Sequence, residues 1–388
     1  MTNSFRERLF KEPNSSYFLF GPRGTGKSTW LKRQHQNSLW LDLLDPLTFR
    51  SYVARPELLI ELVEANKDKK YVVIDEIQKI PDLLSVVHSL IEKKWGIHFI
   101  LTGSSARKLK STGVDLLAGR ALIRTFHPFM AIEIQDAFSL EQALIYGMLP
   151  LVVSSSEPKE VLKAYVAMYL QQEVQAEGLV RNIGHFARFL EIMSFSHGEL
   201  INVSNIARDS QVERKLVISY LSILEDLLLS FTLPVFTKRA KRELVAHEKF
   251  YIFDPGVYRS LRPMGPLDRR ELVDGHALEG LVGQHLRSWI AYSGRDCKLY
   301  FWRTRHGVEV DFIIYGEDTF SAFEVKSSKR ISTEDIRSLK SFKEDYPEAQ
   351  VCLLYAGQER LIVNGILCLP CAEFLRNLDP QQPLRSPD

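Results

Sequence analysis

The sequence predicts a multidomain α/β protein, and three observations predict it. A glycine-rich loop, Gly21-Pro22-Arg23-Gly24-Thr25-Gly26-Lys27-Ser28, stands between an apolar run and a helix start. Short apolar runs then alternate with helical stretches up to about residue 123, the pattern of a parallel sheet. From residue 298 a second group of apolar strands carries carboxylates and a lysine. At 388 residues the chain exceeds one ordinary core, so two or three domains are expected.

The first strand is Tyr17-Phe18-Leu19-Phe20, and Thr29-Trp30-Leu31-Lys32 opens the helix that follows the loop. Strand, glycine-rich turn and helix N-terminus together make a phosphate cradle. Gly21, Gly24 and Gly26 let backbone N–H groups point at an anion. Lys27 would reach the β- and γ-phosphates and Ser28 would hold Mg²⁺. Pro22, Arg23, Thr25 and Thr29 complete the expected ATP-binding set. A plain glycine turn would explain the glycines but not the Lys27-Ser28 pair.

Leu39 to Leu43 reads as the second strand, Tyr71 to Ile74 as the third, His98 to Thr102 as the fourth, and Ala121 to Ile123 as the start of the fifth. The third strand runs into Asp75-Glu76, and two carboxylates at the end of a buried strand need a cation. Asp75 would contact Mg²⁺, and Glu76 would act as general base on the attacking water. The alternative is a pair of helix-capping acids ahead of the helix after Pro81. Thr102-Gly103-Ser104-Ser105 places hydroxyls where a γ-phosphate or its water is sensed, with Thr102 the expected catalytic member. Arg120 is either an arginine finger for a neighbouring subunit's nucleotide, which requires at least a homodimer, or half of a surface salt bridge.

With GPRGTGKS, VVIDEIQKIP, LTGSSARKL and LAGRALIRTFHPF in this order, the chain resembles the AAA+ ATPases, in particular the prokaryotic predicted ATPases. The resemblance covers Ser4 to about Gly147. It implies ATP hydrolysis and a helical lid with a sensor arginine, for which Arg181 and Arg188 are available.

From Ser139 to Gly198 apolar residues recur at helical spacing, including Val161, Leu162, Tyr165, Val166, Met168 and Tyr169. Ser204 is then expected to cap a short helix through Ala207. A second helix is expected from about Glu213 to Leu228, with Leu216, Tyr220, Leu224 and Leu228 on one face. A strand pair from Leu233 to Phe253 brackets the basic run Lys238, Arg239, Ala240, Lys241, Arg242. This unit resembles a winged helix. Its basic residues would lie on DNA phosphates, or else form a solvated tip of a packing module.

In the C-terminal part Asp311 sits in the strand Val308 to Ile314, and Glu324 and Lys326 share one face of the strand Ala322 to Lys326. Upstream, Glu279 lies on an amphipathic helix in which Gly280 and Gly283 permit close approach. An exposed ion pair of Glu324 with Lys326 and a lone buried Asp311 is the plain alternative. The order Glu, Asp, Glu-x-Lys resembles the PD-(D/E)XK, or restriction-endonuclease-like, nucleases from about Gly275 to Tyr355. That resemblance implies Asp311 and Glu324 as ligands of Mg²⁺ or Mn²⁺, Glu279 as a further ligand, and Lys326 as the cation beside the attacking hydroxide.

Hydrophobic residues make up 45% of the chain and charged residues 25%, with a net charge of +2, so any DNA contact must come from a local basic patch. The four cysteines exclude a disulfide framework. Leu221 to Phe231, broken by Glu225 and Asp226, is no membrane span, and the start carries no signal-peptide core, so a cytoplasmic protein is expected. The predicted order is an AAA+ core over 1–138, a helical lid over 139–198, a winged helix over 199–262 and a nuclease-like domain over 263–388. The combined expectation is an oligomeric ATPase acting on DNA, with hydrolysis driving or gating metal-dependent phosphodiester cleavage. The alternative is a nucleotide-controlled switch whose nuclease-like domain binds DNA or a protein partner without cutting.

Overall fold

The computed structural model describes residues 6–104, 109, 117–170, 180, 182–266 and 268–384, with backbone only at 118 and 168–170. The chain divides into two compact units. One comprises residues 10–127 with 226–229, and the other residues 1–9, 128–225 and 230–388. Apart from residues 226–229, the lid, winged-helix and nuclease-like segments expected from residue 139 onward thus share one unit.

In the first unit five strands, β1 (Tyr17–Phe20), β2 (Leu39–Asp42), β3 (Tyr71–Asp75), β4 (His98–Gly103) and β5 (Leu122–Thr125), form a parallel sheet in the order β2-β3-β4-β1-β5. The apolar runs of β1, β3 and β4 are buried, as in a parallel sheet covered by helices, whereas β2 is mostly half-buried and Leu122 and Ile123 of β5 are exposed. The helices Leu58–Ala65 and Leu83–Glu92 contribute Leu59, Val63, Leu83, Leu84 and Val87 to a core with Phe18, Val72, Ile74, Phe99 and Leu101. Each such fully buried side chain contributes about 1.5–3 kcal/mol. Because β4 lies between β1 and β3, the C-terminal ends of the loop strand and of the carboxylate-bearing strand flank the end of β4.

The second unit holds an antiparallel sheet of β6 (Glu199–Leu200), β7 (Ser230–Leu233) and β8 (Lys249–Ile252) in the order β6-β8-β7. Its helices differ in detail from expectation. The cap of the helix Val203–Ser210 is Asn202, whose Oδ1 accepts from Asn205 N at 3.1 Å, and Ser204 lies inside the helix. The helix Arg214–Asp226 buries Val217, Tyr220, Ile223 and Leu224, so Leu216 lies off the buried stripe.

A six-stranded mixed sheet follows: β9 (Cys297–Arg303), β10 (Glu309–Gly316), β11 (Phe320–Lys326), β12 (Gln350–Tyr355), β13 (Leu361–Val363) and β14 (Ile366–Pro370), in the order β13-β14-β12-β11-β10-β9. The helix Arg337–Asp345 covers one face through Leu339 and Phe342, against Trp302, Val310, Ile313 and Leu353. The segment after β7 lies against the edge strand β9. Val235 bridges Phe301, and Phe236 N donates to Phe301 O at 2.7 Å while its ring is fully buried.

The helix Arg270–Ser293 is buried along most of its length, including Leu278, Leu281, Val282 and Leu286. A Cβ at Gly280 would collide with the His197 ring, and one at Gly283 would press on Phe312 at 3.1 Å, so both glycines serve close approach as expected. His285 pins this helix: its Nδ1 donates to Leu281 O at 2.8 Å and its Nε2 accepts from Ala131 N at 2.8 Å. The accepting nitrogen has no room for a proton, and burial lowers the His285 pKa to about 4. A base depressed in the fold binds protons preferentially when unfolded, so its contribution to stability is complete above pH 6.5 and is lost as pH falls toward 4. About 3 kcal/mol is at stake over that window. Chemical denaturation across pH 4–7 is expected to show a shallower pH slope in His285→Gln than in the wild type.

Candidate functional site

The phosphate loop is shaped by three constraints. Gly24 and Gly26 take φ of 82° and 86°, the left-handed region that glycine enters without strain. A Cβ at Gly21 would collide with the carbonyl oxygen of Phe126, so only glycine fits there. Thr25 Oγ1 donates to Pro22 O at 2.8 Å and fixes the turn. Trp30 N then bonds Gly26 O at 2.9 Å and starts the helix Lys27–Gln34, held by the buried Trp30 and Leu31. Lys27 is buried, and its Nζ donates to Gly21 O at 2.6 Å and Pro22 O at 3.2 Å, inside the curl of the loop. Pro22 is buried, Ser28 half-buried, and Arg23 and Thr29 exposed at the mouth. These features fit a triphosphate, with Ser28 and Asp75 as the groups that would hold Mg²⁺.

Thr102, at the end of β4, joins the expected acidic pair. Its hydroxyl donates to the buried Asp75 carboxylate and accepts from Glu76 N at 3.2 Å. Glu76 takes φ 63°, ψ 47°, a strained backbone for a non-glycine residue and common at functional sites. Gln78, which sequence reasoning missed, holds this turn. Its Nε2 donates to Glu76 Oε2 at 2.5 Å and to Ser104 Oγ at 3.3 Å. Gly103 leaves room for it, because a Cβ there would displace the Gln78 amide oxygen. The only sequence signal was a Gln two residues after the acid. Arg120 forms an exposed ion pair with Glu92. Ser105 and Arg181 lie outside the described residues, and Arg188 bonds Gln211.

In the second unit the register of β10 against β9 shifts between Val310 and Ile313, a bulge that turns Asp311 out of the regular ladder. Asp311 Oδ2 accepts from Val325 N at 2.9 Å, across from β11. Lys326 Nζ donates to the buried Glu324 Oε1 at 2.5 Å. Asp311, Glu324 and Lys326 thus lie on the neighbouring strands β10 and β11, and Glu279 meets Asp311 at Lys249.

The expected divalent site is not what they assemble. Lys249 of β8, 2% exposed, places its ammonium 2.5 Å from Glu279 Oε1, 3.2 Å from Asp311 Oδ1 and in contact with Glu309. Tyr251 donates to Glu279 Oε1 at 2.5 Å, and Arg303 donates to Glu309 Oε2 at 2.8 Å. Among the described residues no group of three or more His, Cys, Asp or Glu side chains is arranged to hold a metal ion. The donor set as it stands does not fit one.

Burial alone would lower the Lys249 pKa, but Glu279, Asp311 and Glu309 outweigh it and hold the ammonium well above the ordinary lysine value. Burial, then the charge of Asp311, pushes the Glu279 carboxyl up to about 7 against Lys249 and Tyr251. The same two causes hold Glu324 well above the carboxylate range against the pull of Lys326.

The basic run is engaged by the same unit. Arg242 pairs with Glu344 at 3.1 Å and Asp345 at 2.9 Å, Lys241 Nζ lies 3.5 Å from Glu344 O, and Lys238 Nζ stands 4.2 Å from the Tyr315 ring centre. The run thus lies along the helix Arg337–Asp345 and β10 while all five of its residues stay exposed, Arg239 at φ 52°.

Residues 13–135 match a family described as an AAA domain, residues 137–268 a domain of unknown function, DUF8612, and residues 274–374 a domain of unknown function, DUF4143. An uncharacterized protein of Mycobacterium tuberculosis is 26% identical over 370 residues, covering 92% of this chain and 80% of that protein. An uncharacterized protein of Haemophilus influenzae is 22% identical over 399 residues, with 94% and 95% covered. Among solved structures, AMPPCP-bound DnaA from Aquifex aeolicus shares 13% identity over 54% of this chain and 81% of that one, at a TM-score of 0.30. DnaA bound to AMPPCP and single-stranded DNA shares 10% over 56% and 83%, at 0.27. Likenesses this distant bear no argument about function. No helix among the described residues is long and apolar enough to cross a membrane. Residues 13–135 thus join a phosphate loop to a five-stranded parallel sheet and match an AAA domain.

Proposed function

We propose that this protein is an ATP-hydrolysing switch, whose nucleotide state controls what its lid, winged-helix and C-terminal segments (139–198, 199–262 and 263–388) bind. The observation that carries the reading is the Thr102 hydroxyl, which ties Asp75 to the backbone of Glu76 beside the loop strand. Lys27 would leave the carbonyls of Gly21 and Pro22 for the β- and γ-phosphates, while the loop N–H groups take the remaining charge. Ser28 and Asp75 would hold Mg²⁺, which would supply charge neutralisation for the phosphates. Glu76 orients and deprotonates the attacking water, and Gln78 positions its carboxylate.

A role without cleavage is supported by the internal pairing of this segment's charges. Lys241 and Arg242 are turned onto the acidic end of the helix Arg337–Asp345, and Lys249 lies among the carboxylates. DNA or a protein partner is the occupant this reading allows. The convergence of Asp311, Glu324 and Lys326 favours a second reading, an ATP-gated DNA nuclease using Mg²⁺ or Mn²⁺. In both readings Arg120 serves as a finger only in a homo-oligomer, where it gives up Glu92.

Steady-state ATPase assays test the core of the proposal. Lys27→Ala is expected to lose ATP binding, while Glu76→Gln keeps binding and loses hydrolysis by about 10²-fold or more. Unchanged turnover in Glu76→Gln would remove Glu76 as the base. Gln78→Leu is expected to lower kcat by about tenfold with KM little changed, the pattern of a positioning group. Incubation of the wild type and Asp311→Ala with single-stranded, nicked and branched DNA in Mg²⁺ or Mn²⁺ separates the readings. The switch predicts no cleavage above background by either protein, together with ATP-dependent changes in assembly. Cleavage by the wild type that Asp311→Ala abolishes would establish the nuclease.

A further inference from the structure

We infer that the carboxylate cluster of the six-stranded sheet is an internal-cation site. The Lys249 ammonium, delivered by β8, stands where a divalent metal would have to bind and keeps Glu279, Glu309 and Asp311 from holding one. This inference is independent of ATP hydrolysis in the first unit.

The geometry is that of a filled site. An ammonium has three N–H donors and no acceptor, and Lys249 faces three carboxylates, with Glu279 at 2.5 Å, Asp311 at 3.2 Å and Glu309 in contact. The outer oxygens are also taken. Asp311 Oδ2 accepts from Val325 N, Glu309 Oε2 from Arg303, and Glu324 Oε1 from Lys326. Glu324 Oε2 is buried with no donor and Glu279 Oε2 is not among the bonded oxygens, but among the described residues no three acidic, His or Cys side chains are arranged to hold an ion together.

Charge leads to the same conclusion. Lys249, Lys326 and Arg303 face Glu279, Glu309, Asp311 and Glu324. That leaves at most one unbalanced negative charge, so a dication entering beside Lys249 would overcompensate the site. Lys249 comes from the three-stranded sheet and its carboxylate partners from the helix Arg270–Ser293 and β10, so the ion pairs fasten these elements together within the second unit. Their role is to hold that arrangement, where a nuclease would hold a metal.

The test is Mn²⁺ binding to the full nucleotide-free chain, read from the electron paramagnetic resonance of free Mn²⁺. The wild type and Asp311→Asn are expected to bind equal numbers of ions. Lys249→Met is expected to gain about one Mn²⁺ equivalent, lost again in the double variant Lys249→Met with Asp311→Asn, because an emptied set of oxygen ligands suits Mn²⁺. Lys249→Arg should bind no more than the wild type. The inference is overturned if the wild type holds an ion that Asp311→Asn releases. It is also overturned if Lys249→Met, with circular dichroism and ATPase activity intact, gains none. Should Lys249→Met fail to fold, the comparison of the wild type with Asp311→Asn decides alone: equal binding supports the inference and a lost ion overturns it.

Discussion

The nucleotide site depends on one constraint, the placement of β4 between β1 and β3 in a parallel sheet. Parallel strands end on the same edge, so that order sets Thr102 between the loop that follows β1 and the acids that follow β3. The Thr102 hydroxyl can then bond Asp75 and receive the Glu76 N–H. The strained backbone at Glu76 is held by this contact and by Gln78, and the absence of a side chain at Gly103 leaves room for Gln78. Parts that look separate along the chain are one hydrogen-bonded assembly at the sheet edge.

The second unit is organised around buried charge. A lysine at 2% exposure is tolerable only if its partners restore what water gave it. Glu279, Glu309 and Asp311 do so, and Tyr251, Arg303 and the Val325 N–H satisfy the oxygens that remain. The same arrangement explains why the motif of Asp311, Glu324 and Lys326 can be present while the donor set does not suit a metal. Acidic residues at the right positions are necessary for a divalent site, but an internal cation can satisfy them first.

The basic run shows the same principle at the surface. Five residues dense in positive charge read as a phosphate-binding hairpin, yet Phe236 is drawn into the sheet core and carries the run onto the helix Arg337–Asp345. The apolar anchor decides where the charges go, because burying an aromatic ring outweighs the small gain from exposed ion pairs.

Local features were legible wherever residue type and spacing alone carry the chemistry. Tyr17 to Ser28, Asp75-Glu76 and Thr102 could be read directly, as could the convergence of Asp311, Glu324 and Lys326, because strand alternation and a glycine loop are short-range properties. Gln78 was not legible, since its role needs the end of β4 beside it. Lys249 stood in plain view in the apolar run Lys249-Phe250-Tyr251-Ile252. Its partners Glu279, Glu309 and Asp311 lie on other elements, however, and no periodicity in β8 points to them. Nor does sequence reveal the bulge that frees Asp311, because register is a property of two strands together. The sequence by itself determined the phosphate loop, the alternating sheet and the identity of the carboxylates. Only the tertiary structure decided which cation those carboxylates hold, because pairing of buried charge is settled by long-range packing.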